Sequence, residues 1–545
     1  MSKQKKGNFR SSERHESLLS NGRVATKASE ANSQQPTAKR VTIPLLMFVL
    51  TWAWSAWWMG DVWHIARERS FCAADPVLMN FLWEQSFGSL WLIGRALLTL
   101  FCWPWLGSLV VALMLSVGAW LVDYCFRLGP RWRWIGYLPA GLWMAWVAWS
   151  GLNLYYLNES GRALGLLFLG FVVVAVDGFI ISTFSRKPLP ALIRMPKDET
   201  IRQNLFQVVL VLVLTAIPMA ITAFRHPYLR PLTRMEVQLL NEDYQGAVNT
   251  AQAHAELSYR PLAAYYAVAL VHTGRLTEDL FQIRMDYDSL HVVNRSGFSD
   301  NGTDYYIADC NYHAGLFRPA GHNAMEQLTM NGPSLYALKH LLRLALLDHD
   351  WALARKYLTI LQKEPFEKKR LARYEAMVGN EEAVEADPEF ALLRRTEPVI
   401  DSFESQYEPP CFLGYTAVLM QGRSMDALYQ SLMANLYSKR MPDFLMRCQP
   451  LAGQTPPSLI SQGLITQVKK APDIQQAFPN LQMDAQRYVS FLQAVSPYMK
   501  DRPAYAKQLF KDYRGYYPYY YFFGNLKATR KRPDSNQTSS NAGVN

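Results

Sequence analysis

Between Asp286 and Asn331 the sequence collects more potential ligands and acid/base groups than any other window: Asp304, Tyr305, Tyr306, Asp309, Cys310, His313, His322 and Glu326. Imidazole, thiolate and carboxylate side chains bind transition metals and exchange protons near neutral pH. Asp309, Cys310, His313 and His322 would serve as a metal set, but their spacing matches no standard zinc pattern, so neither a metal nor another cofactor is expected. The tyrosines and histidines would equally line a groove for a peptide, a glycan or a lipid headgroup. The preferred expectation is plainer: a surface insertion whose polar groups are solvated or packed. Unstructured loops longer than about 15 residues are uncommon and often functional, which keeps Asp309, His313 and His322 as candidates.

A second set of candidates consists of charges inside apolar runs. Ionisable groups in a membrane are costly and tend to face a bundle interior or a cavity. Asp177 lies within the run Ala163 to Phe184 and is the strongest of these. Asp123 and Arg95 stand near the ends of their runs, within reach of water, and read as structural. Asp61 follows the first run in GDVWH. Its position is similar to that of an acidic residue in the first outer loop of membrane glycosyltransferases that use lipid-linked sugars, a likeness of layout only. No phosphate-binding Walker loop, HExxH or GxSxG occurs, so the chain reads as a non-enzyme. The six cysteines are scattered and imply no pairing.

The elements that must position these residues fall into two unlike halves. Phe206 to Phe224, FQVVLVLVLTAIPMAITAF, has no charge, and at about 1.5 Å per residue it nearly covers a hydrocarbon core of about 30 Å. Together with runs at about 41–60, 97–122, 134–157 and 163–184 it makes five expected membrane spans, with 88–96 as an interfacial lead-in to the second. Fifteen of the 16 tryptophans lie at or before Trp149, and Trp is enriched at bilayer interfaces. The formal charge of +11 sits largely in the first 40 residues and in short loops, which points to topology rather than to nucleic acid. Arg127, Arg131 and Arg133, then Arg186, Lys187, Arg194, Lys197 and Arg202, fall in alternate loops, whereas Arg67, Arg69 and Arg162 occupy the others. The positive-inside tendency therefore places the tail 1–40 in the cytoplasm and everything from residue 225 outside it. Both the tail 1–40 and the tail 527–545 have the polar composition of disordered segments.

Residues 225–526 are expected to form a self-contained helical domain carrying the insertion 286–331. Four segments share a turn signature: NEDYQGAV around Tyr244 and Ala247, TGRLTEDL around Leu276 and Asp279, HDWALARKYL around Trp351 and Ala354, and QGRSMDALYQSL around Ser424 and Ala427. They resemble the turn between the two helices of a tetratricopeptide repeat, in which a large residue opens the second helix and an alanine three positions later lets the helices approach. The fold class is thus all-α: a bundle of about five spans, then helical repeats.

The order of parts resembles a family of uncharacterised membrane proteins common in Bacteroidota. The likeness rests on the stretch Trp83 to Leu115, WEQSFGSLWLIGRALLTLFCWPWLGSLVVALML, with its Trp-Pro-Trp-Leu-Gly turn at Trp103 to Gly107. It implies an envelope location and no assigned activity. The expected function is a scaffold in the bacterial inner membrane that presents a helical-repeat surface to a protein partner in the periplasm, the bilayer being its other partner. The alternative is a membrane enzyme or carrier acting on a lipid-linked glycan or lipid, centred on Asp61, Asp177 or the 286–331 segment.

Overall fold

The computed structural model describes residues 42–126, 128, 132–156, 158–184, 201–285, 303–397 and 424–526. Among these every regular element is a helix. The α-helices of eight or more residues run α1 Thr42–Ala53, α2 Gly60–Glu68, α3 Gly88–Thr99, α4 Pro104–Cys125, α5 Leu138–Ser150, α6 Glu159–Phe184 and α7 Ile201–Arg225 in the first half. They continue as α8 Leu229–Leu240, α9 Tyr244–Ala253, α10 Arg260–His272, α11 Thr303–His313, α12 Phe317–Asn331, α13 Leu335–Leu347, α14 Trp351–Leu361 and α15 Pro388–Thr396. After residue 424 follow α16 Met425–Ser438, α17 Met441–Cys448, α18 Ser458–Ile465, α19 Gln482–Val495 and α20 Arg502–Asp512.

Among the described residues three helices are long and apolar enough to cross a membrane: α4, α6 and α7. A fourth is counted if α1 and α2, joined by a π-turn over Trp54–Trp58 and bent by 60°, form one broken span. The expected span 97–122 does not begin at residue 97. The chain leaves α3, passes a 3-10 turn at Leu100–Cys102, extends at Trp103 and restarts at Pro104. Proline is suited to the first turn of a helix, and it disfavours helical geometry in the residue before it. The run 134–157 is likewise divided, because α5 ends at Gly151, whose φ of 55° stops it after 13 residues.

The lead-in helix α3 crosses the start of α6 at very short range. A Cβ placed on Gly94 would stand 1.8 Å from the Gly161 carbonyl oxygen, and one on Gly165 would stand 2.6 Å from the Leu90 oxygen. Glycines four apart, as in Gly161 and Gly165, let two backbones touch in this way.

The second half is a succession of helix hairpins with one recurrent turn. Glu242, Gly274, Gly315, His349 and Lys439 all have positive φ. In each case the next amide donates to the carbonyl five residues back: Asp243 to Gln238 at 2.8 Å, Arg275 to Leu270 at 2.9 Å, Leu316 to Asn311 at 2.8 Å, Asp350 to Ala345 at 2.9 Å and Arg440 to Asn435 at 3.0 Å. This is the left-handed helix stop that satisfies the last carbonyls. Asp243 and Asp350 then cap the following helix by accepting from the amides of Gly246 and Leu353. Three of the four turns read from sequence are of this kind. Ser424 caps α16 through the Ala427 amide, but residues 398–423 before it lie outside the described residues. Ala247, Ala354 and Ala427 are fully buried, while Tyr244 and Trp351 are half-buried.

One expectation about the second half is corrected in part. Within the segment 286–331, residues 303–331 are not irregular, since α11 and α12 form a hairpin in series with the others, while 286–302 lie outside the described residues. Its helical period was obscured because its inward face mixes small apolar residues with the buried Asn311 and Tyr312 and the half-buried Asp309 and His313. Packing also crosses residue 225. Phe71, Ala73, Met79 and Leu82, from the stretch between α2 and α3, are core residues shared with Tyr312, Leu335, Leu361 and Phe390, and α2 packs against α8.

Candidate functional site

The junction between α2 and the hairpins carries a concentration of buried charge. Arg67, Glu68, Arg69 and Ser70 are all at most 5% exposed. Arg67 pairs with Glu68 at 2.8 Å and with Glu367 at 2.6 Å, while Lys339 reaches Glu68 at 2.7 Å and Glu367 at 3.0 Å. Arg370 closes the network at 3.3 Å from Glu68. Beside it the Cys72 amide donates to Glu364 at 2.5 Å and the Leu335 amide to the Ser70 carbonyl at 3.0 Å. Burial outweighs the Cys72 amide and the Arg67 charge at Glu364 and pushes its carboxyl up to about 8. Removing one partner from such a buried network leaves the others uncompensated.

Next to this network lies a small polar cavity of about 50 Å³, lined among others by Arg69, Glu236, Tyr244, Tyr265, Asp309, His313, Tyr336 and Glu389. Arg69 stands 3.8 Å from Glu236 and lies over the Tyr336 ring at 3.6 Å. Asp309 accepts from the Tyr265 hydroxyl at 2.8 Å and bonds the His340 ring at 2.7 Å. Burial alone would raise its pKa, but the His340 bond and charge together with Arg69 hold it at about 2. His313 shares a 3.0 Å hydrogen bond with His272, whose ring stacks on Tyr244 at 3.9 Å. Burial pushes His272 down to about 4 and His313 well below its ordinary value, so this pair is neutral at pH 7. The cavity is large enough to admit water.

Of the residues singled out from sequence, Asp309, His313 and Tyr244 meet at this cavity. The rest are elsewhere. His322 is exposed on α12, 3.8 Å from Glu326. Cys310 is buried and does not line the cavity, and among the described residues no group of three or more His, Cys, Asp or Glu is arranged to hold a metal. Asp61 is a half-exposed partner of Arg234 at 3.7 Å, linking α2 to α8. Asp177 is exposed on α6. The side chains of Asp304, Tyr305 and Tyr306 lie outside the described residues. Sequence reasoning missed Arg69, Glu236, Tyr265 and His340. The available signal was charge within an apolar helical pattern, as in LYALKHLLRLALL, where His340 is buried among leucines.

A much larger space opens on the other side of the same junction. This groove, of about 740 Å³, runs between residues 77–85, α3, the start of α6 and the α12–α13 turn. Its walls combine Val77, Phe81, Trp91 and Met330 with Arg95, Arg162, Glu84 and Asn158. Such a surface binds an amphiphile more readily than it performs bond-making chemistry, for it has apolar area and cationic groups but no nucleophile paired with a base.

No curated protein and no solved structure is similar to the chain. Residues 163–524 match the family of unknown function DUF6057, so the match takes in α6, α7 and every hairpin described above, and the chain belongs to that family.

Proposed function

We propose that the protein is a five-span scaffold of the bacterial inner membrane, which holds a tetratricopeptide-like helical surface on the extracytoplasmic side for a protein partner. The observation that carries this reading is the way the helical domain is seated. The ends of the apolar helices on one side all engage it: Arg234 pairs with Asp61, Arg230 lies over Trp58 at 3.9 Å, Phe366 lies 5.0 Å from Trp103, and the His226 ring bonds the Trp149 carbonyl at 3.0 Å. A domain tied at so many points has a fixed orientation to the bundle, which suits presentation of a surface rather than independent diffusion on a linker. The opposite ends of the same helices lead into the arginine- and lysine-rich loops, which supports an extracytoplasmic placement.

The test is topological. A reporter active only outside the cytoplasm is expected to be active when fused after Leu526 and silent when inserted between residues 185 and 203. The reverse pattern overturns the orientation. Affinity capture of the detergent-solubilised full chain should then recover a protein partner at stoichiometric yield. The second reading, a carrier or enzyme for a lipid-linked glycan or lipid, is favoured by one observation, the groove beside Arg162.

A further inference from the structure

We infer that the groove between α3, the start of α6 and the α12–α13 turn is a binding site for an anionic phospholipid of the outer leaflet, with its phosphate beside Arg162 and Arg95. The inference rests on the membrane reading above. Arg162 is the last charged residue before the apolar run of α6, so it marks the level at which that helix leaves the hydrocarbon. It is exposed, lies 5.9 Å from the Trp91 ring, and among the described residues ion-pairs with no carboxylate. Arg95, 7% exposed, lines the same groove, lies over the Phe81 ring at 4.9 Å and donates one guanidinium N–H to the Phe71 carbonyl at 3.5 Å. Two guanidiniums in one cleft suit the planar, multidentate recognition of a phosphate. Glu84, at the rim, is the only carboxylate among the lining residues, so the cationic groups outnumber it. The carboxamide oxygen of Asn158 is buried without a hydrogen-bond partner among the described residues and Asn158 lines the groove, so rotation of this amide presents either an acceptor or a donor to a headgroup.

The apolar walls account for the rest of the molecule. Of the groove's lining, Val77 is 83% exposed and Met330 73%; Trp83 and Phe87, next to it along the chain, are 53% and 74% exposed. Large side chains left this open in one neighbourhood are costly in water, and acyl chains would cover them. Trp83 and Trp91, with α3 laid across α6, reproduce the aromatic belt of a bilayer interface. A water-soluble phosphate would use the arginines and leave this apolar surface bare, which is why the lipid is the chosen occupant.

The experiment is a native mass-spectrometric titration of the full chain in detergent with phosphatidylglycerol, phosphatidylcholine of matching chains, and glycerol phosphate. Phosphatidylglycerol is expected to bind preferentially, and Arg162→Gln to weaken it about fivefold, the loss of one interfacial cation. Arg162→Lys should retain most of the binding, and Val77→Asp should weaken it without touching the cations. Both positions are exposed, so the variants are expected to fold, which an unchanged helical circular dichroism spectrum would verify. Equal binding of the two lipids, or an Arg162→Gln variant indistinguishable from the parent, overturns the site. Glycerol phosphate binding as tightly as the lipid overturns the lipid in favour of a soluble phosphate compound. Failure of the membrane reading is separable from these outcomes, since it would show as a chain soluble without detergent.

Discussion

Glu364 shows how far a single residue departs from its ordinary chemistry at the junction. Its carboxyl is raised from 4.5 to about 8. A raised acid is neutral in the folded protein while its unfolded counterpart is ionised, so the folded state binds the extra proton. Stability is therefore lost as pH rises from about 4.5 through about 8. Glu364→Gln keeps an acceptor for the Cys72 amide and removes the titration. Thermal melts of the parent and variant in detergent are expected to agree near about pH 5 and to diverge by about pH 9, with the variant the more stable. A parallel dependence of the two would mean that the Arg67 charge already stabilises ionised Glu364. Asp309 is the contrasting case. It is half-buried, and His340, Tyr265 and Arg69 surround it and keep it ionised.

At the scale of the element, the hairpin is the repeated unit. Its stop is a left-handed residue that need not be glycine, as Glu242, His349 and Lys439 show. Its close contact is made by a small residue on the second helix. Ala354 is fully buried between α13 and α14, whereas Ala352 is exposed two positions earlier. Ala354→Leu is expected to destabilise the full chain by roughly 1 to 3 kcal/mol, because an overpacked interior forces backbone shifts or poor rotamers. Ala352→Leu should leave the melting temperature nearly unchanged. Equal effects would remove the physical basis for reading α13 and α14 as a repeat hairpin.

For the whole molecule, the shared core and ion pairs predict that the helical half does not fold alone when cut where the spans end. Residues 225–526 alone would lack Arg67, Glu68 and Arg69, which removes the Arg69 partner of Glu236 and leaves Glu367 only Lys339 and Arg370 in place of three cations, and would expose the surface that Phe71, Met79 and Leu82 cover. A buried charge robbed of its partner costs roughly 3 to 5 kcal/mol, which is a large part of the stability of most domains. Expressed by itself, the fragment is expected to be helical by circular dichroism but to melt without a cooperative transition. A sharp, cooperative melt would show that the hairpins close their own core and that the junction only docks against it.

The sequence by itself determined the class. Period and composition are local properties, so the all-α character, the apolar helices and the turn residues at Tyr244, Leu276 and Trp351 could be read from a few neighbours at a time. The proline at 104 and glycine at 151 were equally local, although their effect was to divide runs that hydropathy had joined. What tertiary structure decided was partnership. Arg67 and Glu367 are 300 residues apart along the chain, and nothing in the sequence around either announces an ion pair of 2.6 Å. The helices of residues 303–331 were hidden for the same reason, because their inward face is polar and becomes intelligible once Tyr265, His272 and His340 are seen to supply its hydrogen bonds. A buried polar side chain is stable only where distant donors and acceptors meet it, and that meeting is a property of the fold.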